Sequence, residues 1–153
     1  MNNQNPQKVA EHCAKALWDA DEATQSLDMH LQHIAPGESS LSMVVTQSMC
    51  NGHGTCHGGF LFTLADSTFA FACNSYNQRA VAQHCSITYI NPAQLGETLH
   101  AHACEVSRQG RSGIYDVAIT DQTGNIIAQF RGHSRTIKGT VLPQDTDIAP
   151  DVQ

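Results

Sequence analysis

Between Glu38 and Arg79 the chain has one formally charged residue, Asp66. At the centre of this stretch, Phe60 to Ser75 has helix-forming composition and is apolar or small on nearly every face. Such a helix cannot lie on a surface; protein must wrap it on several sides. Asp66 sits within it, where burying a carboxylate costs several kcal/mol unless the group is paired or protonated. That cost marks either a structural hydrogen bond or a catalytic acid or base.

The flanking sequence supplies the wrapping. Val9 to Ala23 places Val9, Cys13, Ala16, Leu17 and Ala20 at helical spacing, so residues 1–24 read as an N-terminal helical segment. Leu27–Ile34 and Leu41–Thr46 read as strands around the turn Ala35-Pro36-Gly37-Glu38. After the central helix, Ala80–Ile90, Thr98–Ser107, Gly113–Thr120 and Ile126–Ile137 read as four more strands. Their connections, at Asn91-Pro92, Gln109-Gly110 and Gln122-Thr123-Gly124, are of the short kind that favours antiparallel pairing. The expected fold is α+β: a strongly curved antiparallel sheet around a long central helix. With no internal repeat and no linker, residues 1–153 read as one domain, and residues 141–153, rich in Pro, Asp, Gln and Thr, as a loose tail.

A chain of 153 residues can build one domain with a real core. Its charged fraction of 14% is low against a usual value of about 25%, which points to a surface covered by copies of itself. A net charge of −6 with scattered basic residues argues against a nucleic-acid partner. No stretch is apolar for long enough to span a bilayer, so no membrane partner is expected. Met1 to Gln7 is polar and unlike a signal peptide, which favours a cytoplasmic protein whose six cysteines stay reduced. Cys73, Cys85 and Cys104 read as small core residues.

The loop Cys50 to Gly59 contains four glycines and leads into the helix. The first N–H groups of a helix lack internal partners and stand at the positive end of its dipole. One reading is an oxyanion hole with the Gly58 N–H as donor; the other is a flexible loop whose glycines serve turn geometry. Asp66 is too far along the helix to cap its start, and its neighbours offer only hydroxyls. In partly apolar surroundings it gains basicity and can activate water or attack a carbonyl carbon. The spacing of Cys50, His53, Cys56 and His57 matches no usual ligand pattern, so no metal is expected there. A Cys56–His57 nucleophile pair is disfavoured because adjacent residues seldom face each other and no third partner stands out. Arg111, Arg131, His133, Arg135 and Lys138 gather in the last strands of an acidic chain. They fit solvated strand edges or contacts to a phosphorylated ligand.

These residues carry a family resemblance. Asn51, then His57-Gly58-Gly59, then Leu64-Ala65-Asp66 resembles the signature of hotdog-fold acyl-CoA thioesterases. Phe69-Ala70, Ala72-Cys73-Asn74-Ser75, Gly113-Ile114-Tyr115-Asp116 and Phe130-Arg131-Gly132 resemble the phenylacetate-degradation type, the PaaI group. The similarity runs from about Ala16 to Thr140. It implies a hotdog fold and hydrolysis of an acyl-CoA thioester, with phenylacetyl- or hydroxyphenylacetyl-CoA as leading substrates. No metal or redox cofactor is implied, CoA being part of the substrate. By the same analogy Asp66 is nucleophile or general base, Gly58 N–H is the oxyanion donor, and Asn51 and His57 hold water and the thioester carbonyl. Gly59, Arg111, Ser112, Arg131, His133 and Ser134 become the expected substrate-binding residues. Some relatives place a hydroxyl on the strand after the helix, whereas Ala82 and Gln83 offer none. Eight residues of helix separate Gly58 from Asp66, by about 12 Å, too far for one chain to supply both groups to one thioester. A homodimer with shared active sites is therefore expected; the resemblance further implies a dimer of dimers.

Two other functions fit the same pattern. A hotdog hydratase or dehydratase of enoyl or 3-hydroxyacyl thioesters would pair His57 with Asp66. A non-enzymatic acyl-CoA-binding module would need the fold and the basic patch alone, leaving Asp66 without a task.

Overall fold

A computed structural model describes residues 4–148. Helix α1 (Pro6–Ala20) and the short α2 (Glu22–Ser26) precede strands β1 (His30–Ala35) and β2 (Glu38–Val44). A single 3-10 turn, Gln47–Met49, leads through a loop into α3 (Gly58–Cys73). Strands β3 (Ala80–Tyr89), β4 (Thr98–Gln109), β5 (Ser112–Thr120) and β6 (Ile126–Thr136) complete the chain order. All six strands form one antiparallel sheet in the order β1-β2-β4-β5-β6-β3.

The sheet curls around α3. Leu41 and Met43 from β2, Leu99, Ala101 and Ala103 from β4, and Tyr115, Val117 and Ile119 from β5 are buried in one core with Leu61, Leu64, Phe69 and Phe71 of α3. Strand alternation sends their neighbours to the outer face, where His100, His102, Cys104, Arg131 and Arg135 are exposed. Cys104 is therefore not the core residue its apolar neighbours promised. It occupies the outer register position of β4, opposite Glu38 and Asp116.

Both ends of α3 are pinned by side chains. At its C-terminus Asn74 donates to Ala70 O and Ala80 O and accepts from Ala80 N–H, fastening the helix to the start of β3. The β1–β2 turn requires Gly37, whose φ is +74° and where a Cβ would stand 2.6 Å from the Tyr76 hydroxyl oxygen.

Several boundaries differ from the sequence reading: β1 starts at His30 rather than Leu27, β2 at Glu38 rather than Leu41, and α3 at Gly58 rather than Phe60. Two further differences have a clear physical cause. The chain from Glu22 to Ser26 forms a separate helix because Asp21 caps it, accepting from Thr24 N–H at 2.9 Å. The tail is not loose as far as Ile148: Leu142 and Ile148 are buried against Cys13 of α1, and Leu142 N–H donates to Asn77 Oδ1. Residues 149–153 of the expected tail lie outside the described residues. Among the described residues no helix is long and apolar enough to cross a membrane.

Candidate active site

The glycine-rich loop is built by side-chain hydrogen bonds rather than left flexible. Asn51 Oδ1 accepts from His53 N–H at 2.9 Å and Thr55 N–H at 3.3 Å, closing an Asx turn. Cys56 N–H donates to Ala93 O and His57 N–H to Met49 O, both at 2.8 Å. His57 is the N-cap of α3: its Nδ1 accepts from Gly59 N–H at 2.9 Å. That bond requires an unprotonated Nδ1, so in neutral His57 the proton is on Nε2.

Gly58 is the first residue of α3, and among the described residues its N–H meets no acceptor. With Asn51, Leu61, Tyr89 and Pro92 it lines a surface cleft. Tyr89, which no sequence pattern singled out, donates its hydroxyl to Gly58 O at 2.9 Å. Asn51 divides its amide: Oδ1 holds the loop, while Nδ2 has no partner among the described residues.

Asp66 lies two turns further along α3. The hydroxyls around it turn elsewhere: Thr63 to Gly59 O, Thr68 to Leu64 O, and Ser67 to Thr24 Oγ1. Among the described residues none hydrogen-bonds the Asp66 carboxylate, so no structural hydrogen bond within them accounts for it. Gly59, Phe62, Thr63, Asp66 and Ala70 recur at helical spacing and form a stripe of α3 that retains exposure beyond its first turn. Burial pushes the Asp66 carboxyl above the ordinary carboxylate range, and the negative charge of Asp21 adds to the rise. Cys73 and Cys85 feel Asp66 in turn, their thiols raised first by burial and then by its charge.

The expected nucleotide-binding residues divide between two faces. Arg111, Ser112 and Ser134 line one small cleft with Arg108 and Tyr76, at the far end of α3 near Cys73. Arg111 donates twice to Thr136 O, and Arg108 stacks 3.7 Å over the Tyr76 ring. Arg131 projects from the outer face and makes a bidentate pair with Asp116 at 2.6 and 2.8 Å. That pair holds the Asp116 carboxyl below its usual range. His133 also belongs to the outer face, edge-on to His84 at 5.5 Å. The β6 pleat thus separates Arg131 and His133 from Ser134. Gly59 remains exposed beside Gly58.

Burial pushes the Cys56 thiol up to about 11, which disfavours a resting thiolate at neutral pH. The loop donors also do not converge: Cys50 Sγ donates to Thr46 O and His57 Nδ1 caps the helix.

A six-stranded antiparallel sheet around a buried helix, with a glycine-led helix start and a lone carboxylate two turns on, defines a class. Residues 53–128 match the family described as the Thioesterase superfamily. The chain belongs to that superfamily and has its hotdog fold. It is similar to acyl-coenzyme A thioesterase PaaI of Escherichia coli, with 42% identity over 84% of this chain and 91% of that protein. The solved E. coli PaaI, described as coming from the phenylacetic acid degradation operon, superposes with a TM-score of 0.87. That match has 38% identity and covers 89% of this chain and 99% of the other. A Streptococcus mutans protein solved with acetyl-CoA bound aligns with a TM-score of 0.70 and 25% identity, covering 73% of this chain and 90% of that one.

Proposed function

We propose that this thioesterase hydrolyses acyl-CoA thioesters of an aryl-acetyl type, with Asp66 as the reacting carboxylate and Gly58 N–H as the oxyanion donor. The observation that carries the reading is the Asp66 carboxylate, partly buried, without a hydrogen-bond partner and raised in basicity on the open stripe of α3. A thioester is an activated acyl group, so water, a carboxylate and oxyanion stabilisation suffice. Asp66 deprotonates water as it attacks the carbonyl carbon, or attacks that carbon itself and is then released by water. In either route the carbonyl oxygen becomes an oxyanion at the start of α3. The carbon–sulfur bond then breaks, CoA leaves as its thiolate and takes up a proton, and the free acid remains. One such donor is worth about 3 kcal/mol of barrier. Asn51 Nδ2, left over from the loop, can hold the attacking water or the carbonyl.

The aryl-acetyl preference rests on likeness to the E. coli PaaI protein and its operon. The acyl-CoA class gains support from the neighbour solved with acetyl-CoA. For the nucleotide, Arg111, Ser112 and Ser134 are the better group, since they line one cleft while Arg131 lies on the outer face with its charge paired by Asp116.

The dehydratase reading needs His57 and Asp66 on one substrate. Spacing does not separate the two readings, because His57 and Gly58 both stand about two turns from Asp66 in one chain. What counts against the dehydratase is that His57 Nδ1 is committed to the helix cap. For the thioesterase, the spacing of Gly58 and Asp66 leads to a site shared across a two-fold axis between two chains.

The test is a panel of acyl-CoA thioesters with free-thiol detection, run beside an enoyl absorbance assay. Asp66→Asn should lower kcat by ~100-fold or more with the fold and CoA binding retained. A variant keeping over about a tenth of wild-type kcat removes Asp66 from the chemistry. Single turnover in isotopically labelled water separates the routes, because a nucleophilic carboxylate first gives its own oxygen to the product.

A further inference from the structure

The outer face of the sheet gathers donors that the thioesterase chemistry does not use. Glu38 on β2 and His102 and Cys104 on β4 bring a carboxylate oxygen, a ring nitrogen and a sulfur within 4.8 Å of one another. His102 Nε2 stands 3.2 Å from Glu38 Oε1 and 3.1 Å from Cys104 Sγ. The register explains the cluster: Glu38 pairs with Cys104, Ser40 pairs with His102, and strand period two puts His102 and Cys104 on one face.

We propose that Glu38, His102 and Cys104 form a binding site for one zinc-class divalent ion, on the sheet face opposite α3. Thiolate, imidazole and carboxylate together suit a borderline-soft ion such as Zn²⁺ rather than Mg²⁺ or Ca²⁺. Bond lengths of about 2.0–2.3 Å put tetrahedral ligand atoms about 3.3–3.6 Å apart. The two pairs that include His102, at 3.2 and 3.1 Å, are close to that spacing, and the third lies within 4.8 Å. Three protein ligands leave a fourth position for water.

The outer shell points the same way. His102 Nδ1 lies 2.6 Å from Ser40 Oγ, so the hydroxyl holds the ring while Nε2 faces the other two donors. Metal-binding histidines are commonly oriented by such a bond through their second nitrogen. His33 Nε2, from β1, stands 3.8 Å from Glu38 Oε1 and supports the carboxylate from the other side. Glu38 and His102 are partly open to solvent, with side-chain exposures of 42% and 46%, so an ion has a path in. The chain-order spacing conceals the site because its ligands come from two strands far apart in sequence.

The experiment uses the full chain, stripped with chelator and titrated with Co²⁺ and Zn²⁺. One equivalent of Co²⁺ should bind at micromolar protein, give a thiolate-to-cobalt charge-transfer band, and be displaced by Zn²⁺. Cys104→Ser should abolish the band. Ser40→Ala should weaken binding by about 10- to 100-fold without removing a ligand. Cys50→Ser and His53→Ala, in the glycine loop, should change nothing in the titration. Circular dichroism reports the fold of each variant, and thioester hydrolysis should survive both Cys104→Ser and chelation. Absence of stoichiometric binding at micromolar protein overturns the proposal, as does a band that persists in folded Cys104→Ser.

Discussion

Ionising Asp66 costs the folded state free energy, because burial and the charge of Asp21 both favour the protonated form. Its pKa is higher folded than unfolded, so its stabilising contribution is full below the unfolded value of about 3.9 and is lost as pH rises through the folded value. Asp66→Asn should therefore raise the melting temperature at neutral pH, and the gain should vanish in acid below about pH 3.9. A variant equally stabilised at both pH values would contradict this account. Under the proposed mechanism activity has the opposite sign, because the reacting form is the ionised carboxylate: kcat/KM should fall as pH drops through the raised pKa. Asp21→Asn keeps an acceptor for Thr24 N–H while removing the charge, so it should move that acid limb to lower pH. A pH–rate profile with an unmoved limb would count against the coupling. Asp66 was legible in the sequence because a lone charge in an apolar run needs a reason. Asp21 and Tyr89 were not, since each reaches the site from a distant segment with ordinary local composition. His57 was legible as a loop residue, but its service as the N-cap depends on a ring orientation that no spacing reveals.

At the scale of elements, α3 is held by close packing that a single methyl group can upset. A Cβ on Gly132 of β6 would stand 2.8 Å from three ring atoms of buried Phe69. Phe69 also packs on Phe130 and Tyr115, with centroids 5.9 and 5.6 Å away, so its ring has little room to yield. Gly132→Ala should cost about 1–3 kcal/mol of stability by overpacking, read as a lower midpoint in urea at unchanged m-value. A neutral result would show that the helix can shift on the sheet. The strands and α3 were legible because hydrophobic period and turn residues agreed along most of the chain. The short α2 was missed because five residues carry too little periodicity. Residues 141–148 depart from the expected loose tail because composition does not show that Leu142 and Ile148 find a place against Cys13.

At the scale of the whole molecule, the two sheet edges differ among the described residues. At the β1 edge, Gln7 of α1 donates to Ile34 O. The β3 edge, Ala80–Tyr89, has no Lys, Arg, Asp or Glu, and Val81 and Tyr89 are 46% and 51% exposed. Long uncharged edges invite another strand, and natural proteins usually blunt them. The curved sheet was legible from element order, but which strand lies at the edge was not, because β3 leaves its chain neighbour to pair with β6. The open edge agrees with the chemistry. Gly58 and Asp66 are eight residues apart on one uninterrupted helix, a separation of about 12 Å. An oxyanion donor must stand about 3 Å from the carbonyl oxygen, and an aspartate side chain cannot span what remains. In the proposed shared site, two α3 helices antiparallel about a two-fold axis would bring Gly58 of one chain to Asp66 of the other, with two sites per dimer. Mixing Asp66→Asn chains with Gly58→Val chains tests this directly. Each hybrid dimer holds one site with both groups intact, and random exchange makes half the dimers hybrid, so about a quarter of wild-type activity should return. Subunit exchange is verified with differently tagged chains. If exchange is complete and activity stays at the level of the parent variants, or if an isolated monomer turns over at the wild-type rate, each site belongs to one chain.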